Sequence, residues 1–182
     1  MTKFDLSGKR AMVLGLESVV GQQLATALAE AGAHLAAIAG KTSAEAALAA
    51  KRASRKAAAP GQRSLAQAID AENEMAVRVM VRQVAKELGG LDVIFFCAQP
   101  GASYQRSFEL ACRYGSRELV RQGEGLLVVL GVDVDMGSIK EQVASSTRVH
   151  VLPWTEGSSG APRTIERALA LASEQIGQEE RQ

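Results

Sequence analysis

Residues 9–40 place the tightest limits on what this chain can fold into. An apolar run ends at Gly15, and from Gly21 onward apolar residues recur at the spacing of a helix. The helical pattern stops at Gly32, and a second apolar run covers residues 35–39. A strand, a glycine turn, a helix and a strand in this order form the first half of a dinucleotide-binding βαβ unit.

The composition indicates one globular domain over residues 1–182. Apolar residues make up 47% of the chain, charged residues 23%, and the formal net charge is +1. This balance gives no global electrostatic reason to bind nucleic acid or a membrane surface. The N-terminus is polar, and no apolar run approaches the roughly 18 residues of a membrane span, so we expect a cytoplasmic protein.

Predicted helices and strands alternate along the rest of the chain. Further helices are expected over residues 43–59, 74–88, 105–122 and 164–175, and further strands over residues 64–69, 91–98, 126–132 and 149–152. Strands that alternate with helices at this spacing pair in parallel and bury both faces of their sheet. The predicted fold class is α/β, a Rossmann-like doubly wound parallel sheet of about six strands.

Three groups of charged or reactive residues are interpreted as structural. The cations of residues 51–56 form either a phosphate or nucleic-acid patch or a solvated helix face, and the second interpretation is favoured. Cys97 and Cys112 lie in apolar surroundings without a CxxC motif, so we predict buried free thiols. His34 and His150 lie in predicted strands without a partner motif, and we predict no metal site.

The predicted helix over residues 105–122 is apolar on more than one side. One stripe contains Phe108, Ala111, Cys112, Gly115 and Leu119, and Leu110, Tyr114 and Val120 lie partly on other sides. A helix with one buried face carries a single apolar stripe. The pattern predicts a second packing partner for this helix or, alternatively, cover by the C-terminal segment.

Six segments together resemble the short-chain dehydrogenase/reductase (SDR) superfamily along nearly the whole chain. They are DLSGKRAMVLG, LATALAEAGAHLA, LGGLDVIFFCA, RQGEGLLVVLG, RVHVLPW and IERALALASE. The resemblance implies a Rossmann fold with a nicotinamide dinucleotide and a Tyr-x-x-x-Lys acid–base pair. The segments after Gln99 and Lys140 are shorter than the family's, which implies a truncated SDR fold.

The turn after the first strand departs from the family pattern T-G-x-x-x-G-x-G. Gly15 and Gly21 remain, whereas Val19 replaces the middle glycine and Glu17 adds a carboxylate. The branched side chain of Val19 would occupy space that the backbone leaves for a pyrophosphate. Glu17 would repel the phosphates, so we predict that both residues block the cofactor site.

The remaining cofactor positions are also altered. Gly40 stands where an acid would hold the ribose of NAD, and the family's NNAG sequence is replaced by residues 96–99, FCAQ. Lys41 could meet a 2′-phosphate, although a surface lysine is the favoured interpretation. Asp70 keeps the position that often faces adenine. We regard Gly15, Gly21 and Asp70 as vestigial and predict that this chain binds no cofactor.

The catalytic motif of the family has no full counterpart. The best match places Met136 and Lys140 at the positions of Tyr-x-x-x-Lys, and a thioether has no proton to exchange. The two tyrosines, Tyr104 and Tyr114, lack a lysine four residues on, and no serine follows the fifth strand before Ser138. We predict no catalytic residues.

Together these losses predict a catalytically inactive subunit that scaffolds a catalytic SDR partner in a hetero-oligomer, with a heterotetramer as one option. The resemblance implies contact through the 105–122 helix, with NAD bound in the partner. The predicted interface residues are Phe108, Leu110, Ala111, Tyr114, Gly115, Leu119 and Val120. One alternative is a nucleotide or acyl-CoA sensor. Another is an active reductase that uses Tyr104 or Tyr114 with a distant lysine.

Overall fold

A computed structural model describes residues 4–98, 103–132, 134–154 and 161–174. Its centre is a parallel sheet of six strands in the order β3-β2-β1-β4-β5-β6. The strands are β1 Arg10–Leu14, β2 His34–Ala39, β3 Ser64–Ala68, β4 Val93–Cys97, β5 Gly125–Leu130 and β6 Thr147–Leu152. The order reverses between β1 and β4, as in a doubly wound sheet. The predicted fold class is confirmed.

Helices cover both faces of the sheet. They are α1 Val19–Glu30, α2 Ala44–Ser54, α3 Glu74–Leu88, α4 Gln105–Leu110, α5 Ser116–Leu119, α6 Met136–Gln142 and α7 Ala161–Glu174. Helices α1, α2 and α7 pack with one apolar cluster, and α3, α4, α5 and α6 with the other. None of the helices in the described ranges is long and apolar enough to cross a membrane.

Local signals in the sequence set several helix ends. Ser43 caps α2 by accepting a hydrogen bond from the backbone N–H of Ala46 at 3.2 Å. Asn73 caps α3 in the same way through Ala76 at 3.0 Å, and Gly89 ends α3 with a φ of 79°. The bounds predicted for α3 therefore agree with the structure.

Other predicted bounds need correction. Helix α2 ends at Ser54 rather than residue 59, and β5 ends at Leu130 because Gly131 turns the chain with a φ of 89°. Helix α7 begins at Ala161 rather than at residue 164, since a proline is tolerated in the first turn of a helix. Residues 155–160, the position of Gln99 and the residues after 174 lie outside the described residues.

The 105–122 helix is composite. Its α-helical parts, α4 and α5, are joined by a π-helical turn over Ala111–Gly115, and a 3₁₀ turn, Val120–Gln122, ends it. The π turn contacts both α3 and α6. A π turn changes the angular register of the side chains after it. A simple helical projection therefore misplaces the apolar residues of this segment.

The second apolar side of the composite helix is covered within the chain. Phe108, Leu110, Ala111 and Leu119 are all buried in the core between the sheet, α3 and α6. Tyr114 and Val120 are partly buried. Neighbouring helices of the same chain therefore supply a packing partner for the second apolar side. Contact of this helix with another subunit stays a prediction.

Candidate functional site

A cavity of about 580 Å³ opens at the carboxyl ends of the central strands. Ligands of doubly wound sheets bind at this edge, where the strand order reverses. The cavity is lined by Leu14, Gly15, Glu17, Gly40, Lys41, Thr42, Asp70, Ala71, Glu72, Phe96, Cys97, Ala98, Ser103, Tyr104 and Ser107. It therefore contains several positions that the sequence pointed to.

The two remaining glycines of the turn have packing roles. Gly15 has a φ of 113°, and a Cβ there would collide with the carbonyl oxygen of Cys97 on β4. A Cβ on Gly21 would collide with the carbonyl oxygen of Gly15. Ser18 caps α1 by accepting a hydrogen bond from the N–H of Gly21 at 3.0 Å. These contacts explain both glycines without a bound cofactor.

Glu17 spans from the glycine turn to the end of β2. Its carboxylate accepts a hydrogen bond from the backbone N–H of Gly40 at 2.8 Å. A Cβ added to Gly40 would lie 2.9 Å from Glu17 Oε1 and 3.2 Å from the Cβ of Ala71. Glycine at position 40 and the acid at position 17 therefore fit one another. In the sequence alone these two changes look like separate losses.

Carboxylates dominate the charge of the cavity. Glu17, Asp70 and Glu72 line it, and Lys41 is the single cation among the described lining residues. Asp70 accepts a hydrogen bond from the N–H of Glu72 at 3.0 Å, which orders the turn after β3. Asp70 and the exposed Lys41 both line the cavity, and a role for either residue in binding a cofactor stays a prediction.

An aromatic cluster forms the other end of the cavity. Phe96 packs edge-on against Phe108 with ring centroids 5.1 Å apart, and Tyr104 packs against Phe108 at 6.4 Å. Cys97 lies beside Phe96, where burial and then the charge of Glu17 raise the pKa of its thiol. A thiol held in its neutral form is a poor nucleophile.

The counterparts of the catalytic motif lie elsewhere. Met136 is the first residue of α6, and Lys140 is exposed one turn later. Neither lines the cavity within the described residues. Ser138 donates a hydrogen bond to Asp135, the N-cap of α6, at 2.9 Å. Of the two tyrosines, Tyr104 lines the cavity, whereas the hydroxyl of Tyr114 donates to Glu74 on α3.

Val19 does not line the cavity in the described part of the chain. It begins α1 and is 47% exposed. Of the two residues predicted to block the cofactor site, only Glu17 lies at the cavity itself. A steric effect of Val19 on a phosphate at the start of α1 stays a prediction.

The cysteines and His34 have structural surroundings. Cys97 and Cys112 are buried free thiols, as predicted, and burial followed by the charge of Glu109 raises the pKa of Cys112 to about 12. His34 Nδ1 accepts the backbone N–H of Arg63 at 2.8 Å. Within the described ranges no group of three metal-ligating side chains comes together.

A sequence profile described as short chain dehydrogenase matches residues 9–111, more than half of the chain. This match covers the glycine turn, the strands β1 to β4 and the start of the composite helix. The chain belongs to the short-chain dehydrogenase family. The family resemblance of the sequence is confirmed at this level.

Related proteins agree with this assignment. Glycine betaine reductase ATRR of Emericella nidulans is 35% identical over 96 residues, which are 53% of this chain but 7% of that protein. A short-chain type dehydrogenase/reductase from Mycobacterium marinum is 26% identical with a TM-score of 0.58, over 73% of this chain and 59% of its own. The chain thus spans less than two thirds of either relative.

One further structure resembles the chain over most of its length. A short chain dehydrogenase from Mycobacterium smegmatis has a TM-score of 0.70 at 18% identity and covers 93% of this chain and 87% of its own. At this identity the likeness concerns the fold.

Proposed function

We propose that this chain is a non-catalytic member of the short-chain dehydrogenase family that scaffolds or stabilises a catalytic, NAD-dependent partner. The observation that carries the proposal is the position of Met136 and Lys140. They are the best counterpart of the acid–base motif in the sequence, yet neither lines the cavity in the described residues, and a thioether cannot exchange a proton. A chain of this family without that pair is suited to a structural role.

The charge at the cavity supports the absence of a cofactor in this chain. A dinucleotide would bring a doubly charged pyrophosphate towards Glu17 in the glycine turn, and Asp70 and Glu72 add to the negative charge of the cavity. Like charges about 6 Å apart repel one another by roughly 1–3 kcal/mol near a protein surface. Gly40, which accommodates Glu17, offers no acid to hold a ribose. In this proposal NAD binds to the partner subunit.

A candidate reaction for such a complex is the oxidation of a 3-hydroxyacyl-CoA. The pattern of losses resembles the non-catalytic subunit of hydroxybenzylsuccinyl-CoA dehydrogenase of anaerobic toluene degradation. The proposed assembly is a hetero-oligomer, and its contact includes the 105–122 helix.

The cavity itself favours a second candidate, a small-ligand binding module. A volume of about 580 Å³ lies in the range of small-molecule sites. The three carboxylates disfavour a nucleotide or an acyl-CoA among its ligands. A rise in melting temperature of the isolated chain with adenosine, which carries no phosphate, would favour this candidate.

Calorimetric titration with NAD, NADH, NADP and NADPH tests the missing cofactor site. We expect no dissociation constant below about 1 mM, which corresponds to a binding free energy of roughly 4 kcal/mol. The reason is that Glu17 repels the phosphates and that no acid at position 40 holds the ribose. Micromolar binding of any of the four would refute this part of the proposal.

Turnover measurements test the missing chemistry. Co-expression with a full-length dehydrogenase of the family should give an active assembly. Tyr104→Phe and Lys140→Ala in this chain should leave its turnover within a few fold. A loss of about 100-fold or more, the scale of a removed general acid or base, would instead support an active reductase that uses Tyr104.

A further inference from the structure

A basic groove runs between α3 and the composite helix. Two adjoining hollows of about 230 and 450 Å³ share Arg82, Glu118 and Arg121 in their walls. The other cations of the groove are Arg78, Lys86 and Arg117. We define these five cations and Glu118 as the basic groove. Its formal charge is +4, whereas the whole chain carries +1.

Most of this charge is not neutralised within the described chain. Arg121 forms a salt bridge with Glu118 at 3.5 Å, but Arg78, Arg82 and Lys86 form none there. These three cations repeat every four residues on α3, and like charges at this spacing repel one another in an isolated helix. An anionic partner would relieve that repulsion.

Arginine-rich surfaces bind carboxylates or phosphates with paired hydrogen bonds. The groove offers little to a nucleic-acid base. Single-stranded nucleic acids stack their bases on exposed aromatic faces. The one aromatic side chain lining the groove in the described residues is Tyr114, whose ring lies 5.6 Å from the guanidinium of Arg117 and whose hydroxyl binds Glu74.

Exposed apolar side chains beside the groove favour a protein partner. Met75 is 63% exposed and Val79 is 54% exposed, and both belong to α3. By helical spacing they share the outward stripe of α3 with Arg82 and Lys86. An apolar pair next to unpaired arginines is typical of a protein interface and offers nothing to a phosphate backbone.

We propose that the basic groove and the Met75–Val79 pair bind an acidic amphipathic helix of a partner protein. The stripe from residue 75 to residue 86 extends about 17 Å, which corresponds to roughly three helical turns of the partner. Carboxylates every fourth residue would face the arginines, and apolar residues on the adjacent stripe would cover Met75 and Val79. The inference rests on the proposed function in one respect, namely that the helix belongs to the partner subunit.

Fluorescence anisotropy with synthetic probes tests the groove without the partner. The first probe is a labelled alanine-based helical peptide of about 18 residues, with glutamates every fourth residue and a leucine pair on the adjacent stripe. The second has the same composition with the glutamates spread around the helix. The third is a single-stranded DNA oligonucleotide. We expect the patterned peptide to bind about 10-fold tighter than the others at about 50 mM salt and more weakly as screening increases.

Three sets of substitutions locate the binding. The triple variant Arg78→Glu, Arg82→Glu, Arg117→Glu should weaken binding of the patterned peptide by about 10-fold or more. The matched control Lys51→Glu, Arg52→Glu, Arg55→Glu makes the same charge change on exposed positions of α2 and at its C-terminus and should leave binding within about 2-fold. The double variant Met75→Ser, Val79→Ser should weaken binding of the patterned peptide by about 3-fold or more. The single variants Arg78→Gln and Arg82→Gln replace the triple variant if it does not fold.

Equal binding of the two peptides, tighter binding of the oligonucleotide, or an equal loss in the α2 control would overturn the proposal. The result is independent of cofactor titration and turnover. If the groove fails these tests, the proposal of a non-catalytic role still stands. If the chain binds NAD in the micromolar range, the proposal for the basic groove still stands.

Discussion

At the scale of single residues, the pairing of Glu17 with Gly40 shapes the candidate site. The carboxylate bonds the Gly40 N–H at 2.8 Å, and the missing Cβ of Gly40 leaves room for it. The identity of each residue is therefore explained by its contact with the other. An acid that would hold a ribose at position 40 is excluded while Glu17 is present, since two carboxylates would then share one small space.

This pairing predicts a strong interaction between substitutions at the two positions. Gly40→Asp alone should lower the free energy of unfolding by about 1–3 kcal/mol, because the new side chain collides with Glu17 and adds a like charge. In a Glu17→Ser background the same change should cost about half as much or less, because the collision with Glu17 is removed and only the approach to Ala71 remains. Urea unfolding of the four proteins measures the difference.

A third change extends this experiment to the cofactor. Adding Val19→Gly to Glu17→Ser and Gly40→Asp rebuilds the family pattern at these three positions, and we expect weak NAD binding to appear by calorimetry. Additive effects of Gly40→Asp and Glu17→Ser on stability would show that the hydrogen bond between the two positions does not control this space.

At the scale of the elements, the composite helix shows how close packing depends on one glycine. A Cβ on Gly115 would lie 2.6 Å from Cδ1 of Ile94 on β4. Position 115 therefore requires a glycine because strand β4 of the same chain packs closely against the helix there. Gly115 is also one of the residues predicted from the sequence to contact another subunit.

Gly115→Ala should therefore destabilise the isolated chain. Alanine gains roughly 0.5–1 kcal/mol of helix propensity over glycine, but overpacking against the sheet costs about 1–3 kcal/mol. We expect a net loss of about 1 kcal/mol in urea unfolding. Ile94→Val removes the colliding carbon, so in that background Gly115→Ala should be neutral or stabilising.

The opposite outcome would support a role for Gly115 in the contact between subunits. If Gly115→Ala stabilises the isolated chain and weakens assembly with the partner, an external backbone rather than Ile94 requires the glycine. Light scattering of the assembled variant separates the two cases.

At the scale of the whole molecule, one ion pair joins the amino ends of the two central strands. Asp92, just before β4, accepts hydrogen bonds from Arg10 Nη2 at 2.7 Å and from Arg10 Nε and N–H at 2.9 Å. Burial alone would raise the pKa of Asp92, but the hydrogen bonds from Arg10 and its charge hold that pKa below its ordinary value. Folding therefore favours the ionised carboxylate.

The lowered pKa predicts a loss of stability in acid. A carboxylate whose pKa is lower in the folded state stabilises the protein above the unfolded pKa, about 3.9, and this contribution disappears as the pH falls through the folded pKa. The free energy of unfolding should therefore fall between about pH 5 and pH 3. Urea titrations across this range measure the change.

Asp92→Asn supplies the matched control. The variant should lose about 1.5–3 kcal/mol near neutral pH, since it gives up hydrogen bonds to a charged group. Its stability should then fall less steeply in acid than that of the parent chain. Parallel curves for the two proteins would assign the acid sensitivity to other carboxyl groups.

Local sequence patterns are enough to predict the six strands in chain order, the helices other than α6, the glycine turn and the family, and they set the caps of α2 and α3. Each of these depends on neighbouring residues: apolar periodicity, a side chain that bonds an N–H three residues on, or a glycine where φ is positive. The departures at Glu17, Gly40 and Met136 were also visible in the sequence, although only as separate changes.

Which of these residues come into contact depends on the tertiary fold. Glu17 and Gly40 are 23 residues apart and touch because β1 and β2 are neighbours in the sheet. The apolar sides of the 105–122 helix are buried because the fold places it beside α3 and α6, and a π turn resets its register. The basic groove exists because α3 and the composite helix lie side by side. Spacing along a chain fixes local geometry, whereas contacts between distant segments depend on the order in which the strands pair.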